Sequence, residues 1–172
     1  GEEGLLVDVG GGSTELVFFR GGRAAAARSV PLGSLSLFNK CVSGIIPTAA
    51  ELAAMKAEAR KALSDALPDS QGYSAQPMCG VGGTARGALA LYRGMVGEPP
   101  KEGYETQFFA KVLRQAQENP KKLTRRILKI APERIHTMLP GITLLSAASE
   151  LYGSRTVVTS PARRRLPSSC SR

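Results

Sequence analysis

The sequence contains no tryptophan and only one histidine, and aromatic residues make up 5% of it. Its few phenylalanines and tyrosines are not interleaved with basic residues, so a stacking platform for single-stranded nucleic acid is not indicated. A lone histidine cannot assemble a histidine-based site, and His136 is expected to be a surface residue on a helix. No run of about 18 apolar residues occurs, which argues against a transmembrane helix. The acidic opening, Gly1-Glu2-Glu3-Gly4, lacks the basic-then-apolar order of a signal peptide and resembles the interior of a larger protein. Cysteines are scarce: Cys41, Cys79 and Cys170 show no metal-ligand spacing, and an odd number argues against a disulfide framework. Free thiols in a reducing cytoplasm are the expectation.

What is present describes a globular chain. Its 172 residues, 42% of them apolar and 22% charged, suffice for one domain with a buried core. The formal charge is +9, but five of the arginines lie between residues 154 and 172, where there is no acid. Nine minus those five leaves +4 on residues 1–153. Polyanions are plausible partners for such a surface, but charge alone does not specify a nucleic acid.

Apolar runs and turn residues set out the elements. Leu5 to Val9 reads as a buried strand that enters the turn Gly10-Gly11-Gly12. Strands are predicted over 4–9, 15–20 and 24–31, joined by tight turns into an antiparallel meander. The spacing of Leu52, Met55, Ala59, Leu63 and Leu67 predicts a helix over 48–67, opened by a Thr48/Glu51 capping box and ended by Pro68. A strand over 76–81 leads into a helix from about Thr84 to Arg93. Further helices are predicted over 105–117, 120–130 and 132–139, and from Pro140 to a C-cap at Gly153. A last strand is predicted over 155–159. The order implies an α/β fold whose mixed sheet combines the meander with parallel strands under covering helices. Residues 1–160 form the domain, and 161–172 are expected to be a disordered basic tail, since the stretch from Ser160 onward cannot build a core.

The chemistry concentrates in Asp8-Val9-Gly10-Gly11-Gly12-Ser13-Thr14-Glu15-Leu16. A buried strand delivers Asp8 to its carboxyl end. Three glycines let backbone N–H groups approach an anion, Ser13 and Thr14 add hydroxyls, and Glu15 adds a second carboxylate. Carboxylates beside a phosphate-binding loop suit Mg²⁺, which usually takes one or two carboxylates and the phosphates themselves. There is no Gly-Lys-Ser/Thr, and a strand rather than a helix follows, which excludes a P-loop and disfavours a dinucleotide fold. A plain glycine hairpin with two solvated acids is the competing interpretation. A second strand-to-glycine turn, Gly80-Val81-Gly82-Gly83-Thr84-Ala85-Arg86, opens a helix, where N–H groups and the dipole attract anions. Lys121, Lys122, Arg125, Arg126 and Lys129 form a basic helix face, either simply solvated or guiding a polyanion.

These two motifs resemble the glycine motifs of the Ppx/GppA phosphatases, a branch of the sugar-kinase/Hsp70/actin superfamily. Pro31-Leu-Gly-Ser-Leu-Ser-Leu37 and Pro132-Glu-Arg-Ile-His-Thr-Met-Leu-Pro-Gly141 also resemble family segments in the expected order. The resemblance covers about residues 4–159 and implies the second of two ribonuclease-H-like domains flanking a catalytic cleft. It implies hydrolysis of terminal phosphoanhydride bonds, in inorganic polyphosphate or at the 5′ end of guanosine pentaphosphate, with Mg²⁺. Asp8 and Glu15 would serve metal and attacking water, Gly10, Gly11, Gly12, Ser13 and Thr14 would hold phosphate, and Gly82, Gly83 and Thr84 would line the cleft further along. The family's first domain, with its second phosphate loop and presumed general-base glutamate, is missing here, so the chain alone is expected to be inactive. The family's continuation after the last strand is also replaced, as if by a truncation or an altered terminus. A homodimer, the choice of substrate, and a non-catalytic module that binds polyphosphate or guanosine polyphosphate all remain open at this stage.

Overall fold

A computed structural model describes residues 3–66 and 77–161. In chain order the elements are β1 (Glu3–Val9), β2 (Thr14–Arg20), β3 (Arg23–Val30), α1 (Ser34–Cys41), α2 (Ala49–Ala66), β4 (Met78–Val81), α3 (Gly82–Met95), β5 (Tyr104–Glu105), α4 (Gln107–Glu118), α5 (Pro120–Ile130), a 3-10 turn (Pro132–Arg134), α6 (Met138–Leu151) and β6 (Thr156–Thr159). They form one sheet of order β3-β2-β1-β4-β6-β5. β1, β2 and β3 pair antiparallel, β1, β4 and β6 run parallel, and β5 closes the far edge antiparallel to β6. This is the mixed sheet with an N-terminal meander that the ribonuclease-H-like resemblance implies.

Alternation along β1 and β2 sends Leu5, Val7, Val9, Leu16 and Phe18 into the core. The residues between them, Asp8 and Glu15 included, take the other face. Helix α6 is apolar on all sides, as a central helix must be, and is buried from Met138 through Ser149. Helices α1, α2, α3 and α4 pack around it. Just beyond α6, Tyr152 meets the edge of Phe18 at 5.0 Å between ring centres and donates its hydroxyl to the Leu63 carbonyl at 2.9 Å, tying α2 to the sheet. The Thr48/Glu51 capping box forms in both directions, and these bonds hold the Glu51 carboxyl below its ordinary range. No helix among the described residues is long and apolar enough to cross a membrane.

Several local expectations change. Helix α1 was not anticipated, because Ser34-Leu35-Ser36-Leu37 alternates like a strand and the acceptors for its first turn come from a distant loop. The helix expected over 132–139 is only a 3-10 turn, and α6 begins at Met138 rather than Pro140. Pro140 is tolerated there because N–H groups in a first helical turn have no intrahelical acceptor. Ser160 belongs to the fold: it is buried, and its N–H donates to the Gly80 carbonyl at 2.9 Å. Of the tail expected over 161–172, only Pro161 is among the described residues; residues 162–172, the start of the strand expected at Gln76, and Leu67-Pro68 lie outside them. Cys41 is a free thiol, pushed up in pKa first by burial, and Cys79 is fully buried in β4.

Candidate active site

Asp8 and Glu15 stand directly opposite each other in the β1–β2 ladder. Opposed residues of an antiparallel pair share a face, with Cβ atoms about 5 Å apart, and like charges so placed are destabilising. The Asp8 carboxyl is accordingly held above its ordinary range, by burial first and by the charge of Glu15 second, with Arg86 pulling the other way. Glu15 Oε1 accepts hydroxyls from Ser13 and Ser29, each at 3.0 Å. No donor among the described residues reaches its other oxygen. A sheet built for stability alone would not pair two acids here. The arrangement gains sense from a cation or a proton between them.

The loop joining these strands is fixed from behind. The N–H of Gly10 closes the hairpin onto the Ser13 carbonyl at 2.9 Å. The carbonyls of Gly10 and Gly11 then accept the first N–H groups of α1: Ser34 N donates to Gly10 O at 2.8 Å, and Leu35 N and Ser36 N donate to Gly11 O at 2.9 and 3.0 Å. Helix α1 therefore uses its N-terminal donors on the loop rather than on a ligand. Gly33 permits this approach, since a Cβ there would run into Gly10 O and the Gly11 carbonyl. With the carbonyls held behind, the N–H groups of Gly11, Gly12 and Ser13 have no acceptor among the described residues. A short concave run of unpaired N–H groups is an anion cradle.

Parallel pairing of β1 with β4 sets Asp8 beside Val81, so the second glycine turn emerges next to the first. Gly82 takes φ +86°, and a Cβ there would lie 2.5 Å from Asp8 Oδ1, which makes this turn one wall of the carboxylate's pocket. Helix α3 starts at that point with its amides toward the site. Two guanidinium groups converge on it. Arg86, in the first turns of α3, has a buried Nη1 with no hydrogen-bond partner. Arg134, from the 3-10 turn, lies across the helix start: a Cβ at Gly83 would meet its Nη2 at 2.5 Å, and one at Gly87 its Cδ at 2.7 Å. No ion pair to either arginine occurs among the described residues. The site thus holds two acids, a cradle of N–H groups, a helix start and two unpaired cations, the inventory for holding a metal–phosphate.

The residues expected from the sequence divide into two groups. Asp8, Glu15, Gly10, Gly11, Gly12 and Ser13 gather at the β1–β2 turn, and Gly82 and Gly83 adjoin them. Thr14 is fully buried and donates its hydroxyl to the Leu32 carbonyl at 2.7 Å, which braces the segment leading to α1. Thr84 is buried with its methyl against Gly141 of α6. Both hydroxyl residues support the loops from beneath. Sequence reasoning did not single out Arg86, Arg134 or Ser29. The arginines lie inside the motifs that were recognised, so their signal was present; Ser29, on an exposed, alanine-rich edge strand, gave none. His136 is exposed and lies against Phe38 of α1, with ring centres 5.2 Å apart.

Residues 1–164 match the family model described as the Ppx/GppA phosphatase family. Among solved structures, the chain is similar to the PPX-GPPA enzyme of Aquifex aeolicus, with 23% identity and a TM-score of 0.73 over 92% of this chain and 53% of that one. An exopolyphosphatase from Cytophaga hutchinsonii gives 17% identity and a TM-score of 0.73 over the same shares. An exopolyphosphatase-like protein gives 24% identity and 0.69, over 91% of this chain and 55% of that one. No curated protein matches the chain at a significant level. The chain spans about half the length of the solved relatives it matches.

Proposed function

Because the chain belongs to the Ppx/GppA phosphatase family, we propose that it forms one wall of a phosphoanhydride hydrolase site, completed by a second half of the kind its relatives carry. The observation that supports this most is the opposed Asp8–Glu15 pair beside a loop with free N–H groups. An anion binder gains nothing from two acids beside its phosphate, whereas a metal-assisted phosphatase needs them. The substrate class is a chain of phosphates ending in an anhydride: inorganic polyphosphate or a nucleotide such as guanosine pentaphosphate.

Mg²⁺ fits the donors on offer. No cluster of three or more metal-ligating side chains exists among the described residues, and Mg²⁺ needs none, since it keeps waters and substrate phosphates as most of its ligands. Asp8 and Glu15 would hold it, and its charge would relieve their repulsion and polarise the phosphoryl group. The N–H groups of Gly11, Gly12 and Ser13, with Gly82, Gly83 and the start of α3, hold and orient the phosphate oxygens. Arg86 and Arg134 supply fixed positive charge where negative charge spreads in the transition state. Ser13 and Ser29 fix the rotamer of Glu15. The opposing phosphate loop and the base that takes the proton of the attacking water belong to the other half.

Titration calorimetry tests the binding part. The chain should bind pyrophosphate more tightly with Mg²⁺ than without, and Asp8→Asn or Glu15→Gln should remove that difference while keeping weak metal-free binding. Equal affinity with and without Mg²⁺ in the wild-type chain would favour a plain anion-binding module.

A further inference from the structure

The sheet ends at β5, which pairs with β6 on one side only. Tyr104 and Glu105 oppose Val157 and Thr156, and the Thr106 N–H continues the ladder onto the Arg155 carbonyl at 3.0 Å. Bonded residues alternate along an antiparallel strand, so the N–H and C=O of Glu105 point outward, away from β6. Neither has a backbone partner among the described residues. An open groove of about 840 Å³ runs beside this edge, between the end of α3 and helix α4. Its bed is aromatic. Tyr92 stacks on Tyr104 with ring centres 4.4 Å apart, and Phe108 packs edge-on against both at 5.0 and 5.8 Å. Val96, 53% exposed, extends this bed past the end of α3.

Helix α4 supplies the other wall. Gln107, Ala110, Lys111 and Arg114 recur at helical spacing on its exposed face, and all four line the groove. Lys111 and Arg114 have no ion-pair partner among the described residues. Tyr104 turns toward the helices, where it meets Tyr92, Phe108 and Phe109, so strand alternation sends the Glu105 side chain to the opposite face. The charge on the helix side of the groove is therefore positive only. The groove is also remote from the glycine turns, since Gly83 and Met95 lie about 18 Å apart along α3. Unpaired main-chain groups, an apolar bed and two free cations suit one kind of guest, an extended peptide. A nucleotide would use the rings and the cations but leave the main-chain groups of Glu105 idle.

We propose that this edge binds an extended acidic segment of a partner protein, added to the sheet as a strand beside β5. Main-chain bonds to Glu105 hold the segment, and its alternate side chains read the groove. An apolar side chain rests on Tyr92, Val96 and Phe108, and a carboxylate two residues from it meets Lys111 and Arg114. Gln107 and Arg114 lie about 10 Å apart along α4, the length of about three extended residues, so a pentapeptide spans the groove.

Fluorescence anisotropy on the 172-residue chain tests this with the labelled, end-blocked peptide Asp-Thr-Leu-Thr-Asp, which reads the same in either strand direction. The control is Lys-Thr-Leu-Thr-Lys. The acidic peptide should bind saturably, and about tenfold or more tighter than the basic one at low salt. Lys111→Glu/Arg114→Glu should erase that preference and leave pyrophosphate binding with Mg²⁺ unchanged. Glu105→Pro removes only an outward N–H and should weaken the acidic peptide about fivefold or more. A second measurement needs no change to the chain. In an added strand only alternate N–H groups face the edge, so a peptide N-methylated at its two Thr residues and one N-methylated at Leu and the second Asp should differ, one keeping and one losing affinity. No saturable binding, equal affinity for the basic peptide, or equal loss with both methylated peptides would overturn the proposal. So would displacement of the peptide by GTP, which would make the groove a nucleotide pocket, or a dimer of the chain that the peptide does not dissociate, which would give the edge to a second copy.

Discussion

In a protein that joins this chain to the half its relatives carry, Glu15→Gln should lower kcat for phosphate release by about 10²–10³, and Asp8→Asn should do the same. The two carboxylates face each other across the β1–β2 ladder, and neither has a basic ion-pair partner among the described residues. On the proposed reading, a cation between them would relieve their repulsion. Removing one charge would keep the shape and take away about half the negative potential proposed to hold the metal. Because the pair acts as a unit, the double variant should be little worse than either single one. Removing Ser29, which only steadies Glu15 Oε1, should cost far less. Steady-state kinetics across saturating Mg²⁺ would read these effects. Near-wild-type kcat in both single variants would remove the role assigned to the carboxylates.

The second large effect is expected at a residue that touches no ligand. Gly33→Val should destabilise the chain by about 3 kcal/mol, from steric overpacking and weakened hydrogen bonds, and should weaken phosphate binding as well. Gly33 has φ −126°, which any residue can adopt, so the cost is steric. A side chain there strikes Gly10 O and the Gly11 carbonyl and pushes α1 off the loop it anchors. The three bonds from Ser34, Leu35 and Ser36 would lengthen together, and the loop N–H groups would lose their fixed direction. Urea denaturation and phosphate titration on the same variant would check both parts. A change within about 0.5 kcal/mol with intact phosphate binding would show that the anchoring described here is not needed.

This role of Gly33 marks where the sequence stopped being informative. Strands β1, β2 and β4 and helix α2 were legible because their signals are local: buried alternation, glycine turns and a Thr/Glu capping box. The Asp8–Glu15 pair was legible because one tight hairpin fixes both its members. Helix α1 was not, because its N-terminal acceptors are the carbonyls of Gly10 and Gly11, more than twenty residues earlier in the chain. Thr14 and Thr84 were expected to face phosphate because hydroxyls follow glycines in such loops. Burial decided otherwise, since the strand period that exposes Glu15 turns Thr14 inward, and α6 covers Thr84. Arg134 reaches the site through a 3-10 turn that replaces an expected helix, and its room is made by Gly83 and Gly87, a spacing that gains meaning only once α6 and α3 are packed.

The most direct test of the central claim, that this chain holds the metal–phosphate wall of a phosphatase site and needs the other half for turnover, is phosphate release from tripolyphosphate with Mg²⁺, measured for the chain alone beside the joined protein. Loss of a single well-placed electrostatic group costs about 10²–10³ in rate, and on the proposed reading the other half supplies several such groups along with the base. The account predicts that the chain alone binds the substrate weakly and releases phosphate at less than about a thousandth of the joined protein's rate. Turnover by the chain alone near the rate of the joined protein would contradict it, because the base and the second phosphate loop would then have to lie within these residues.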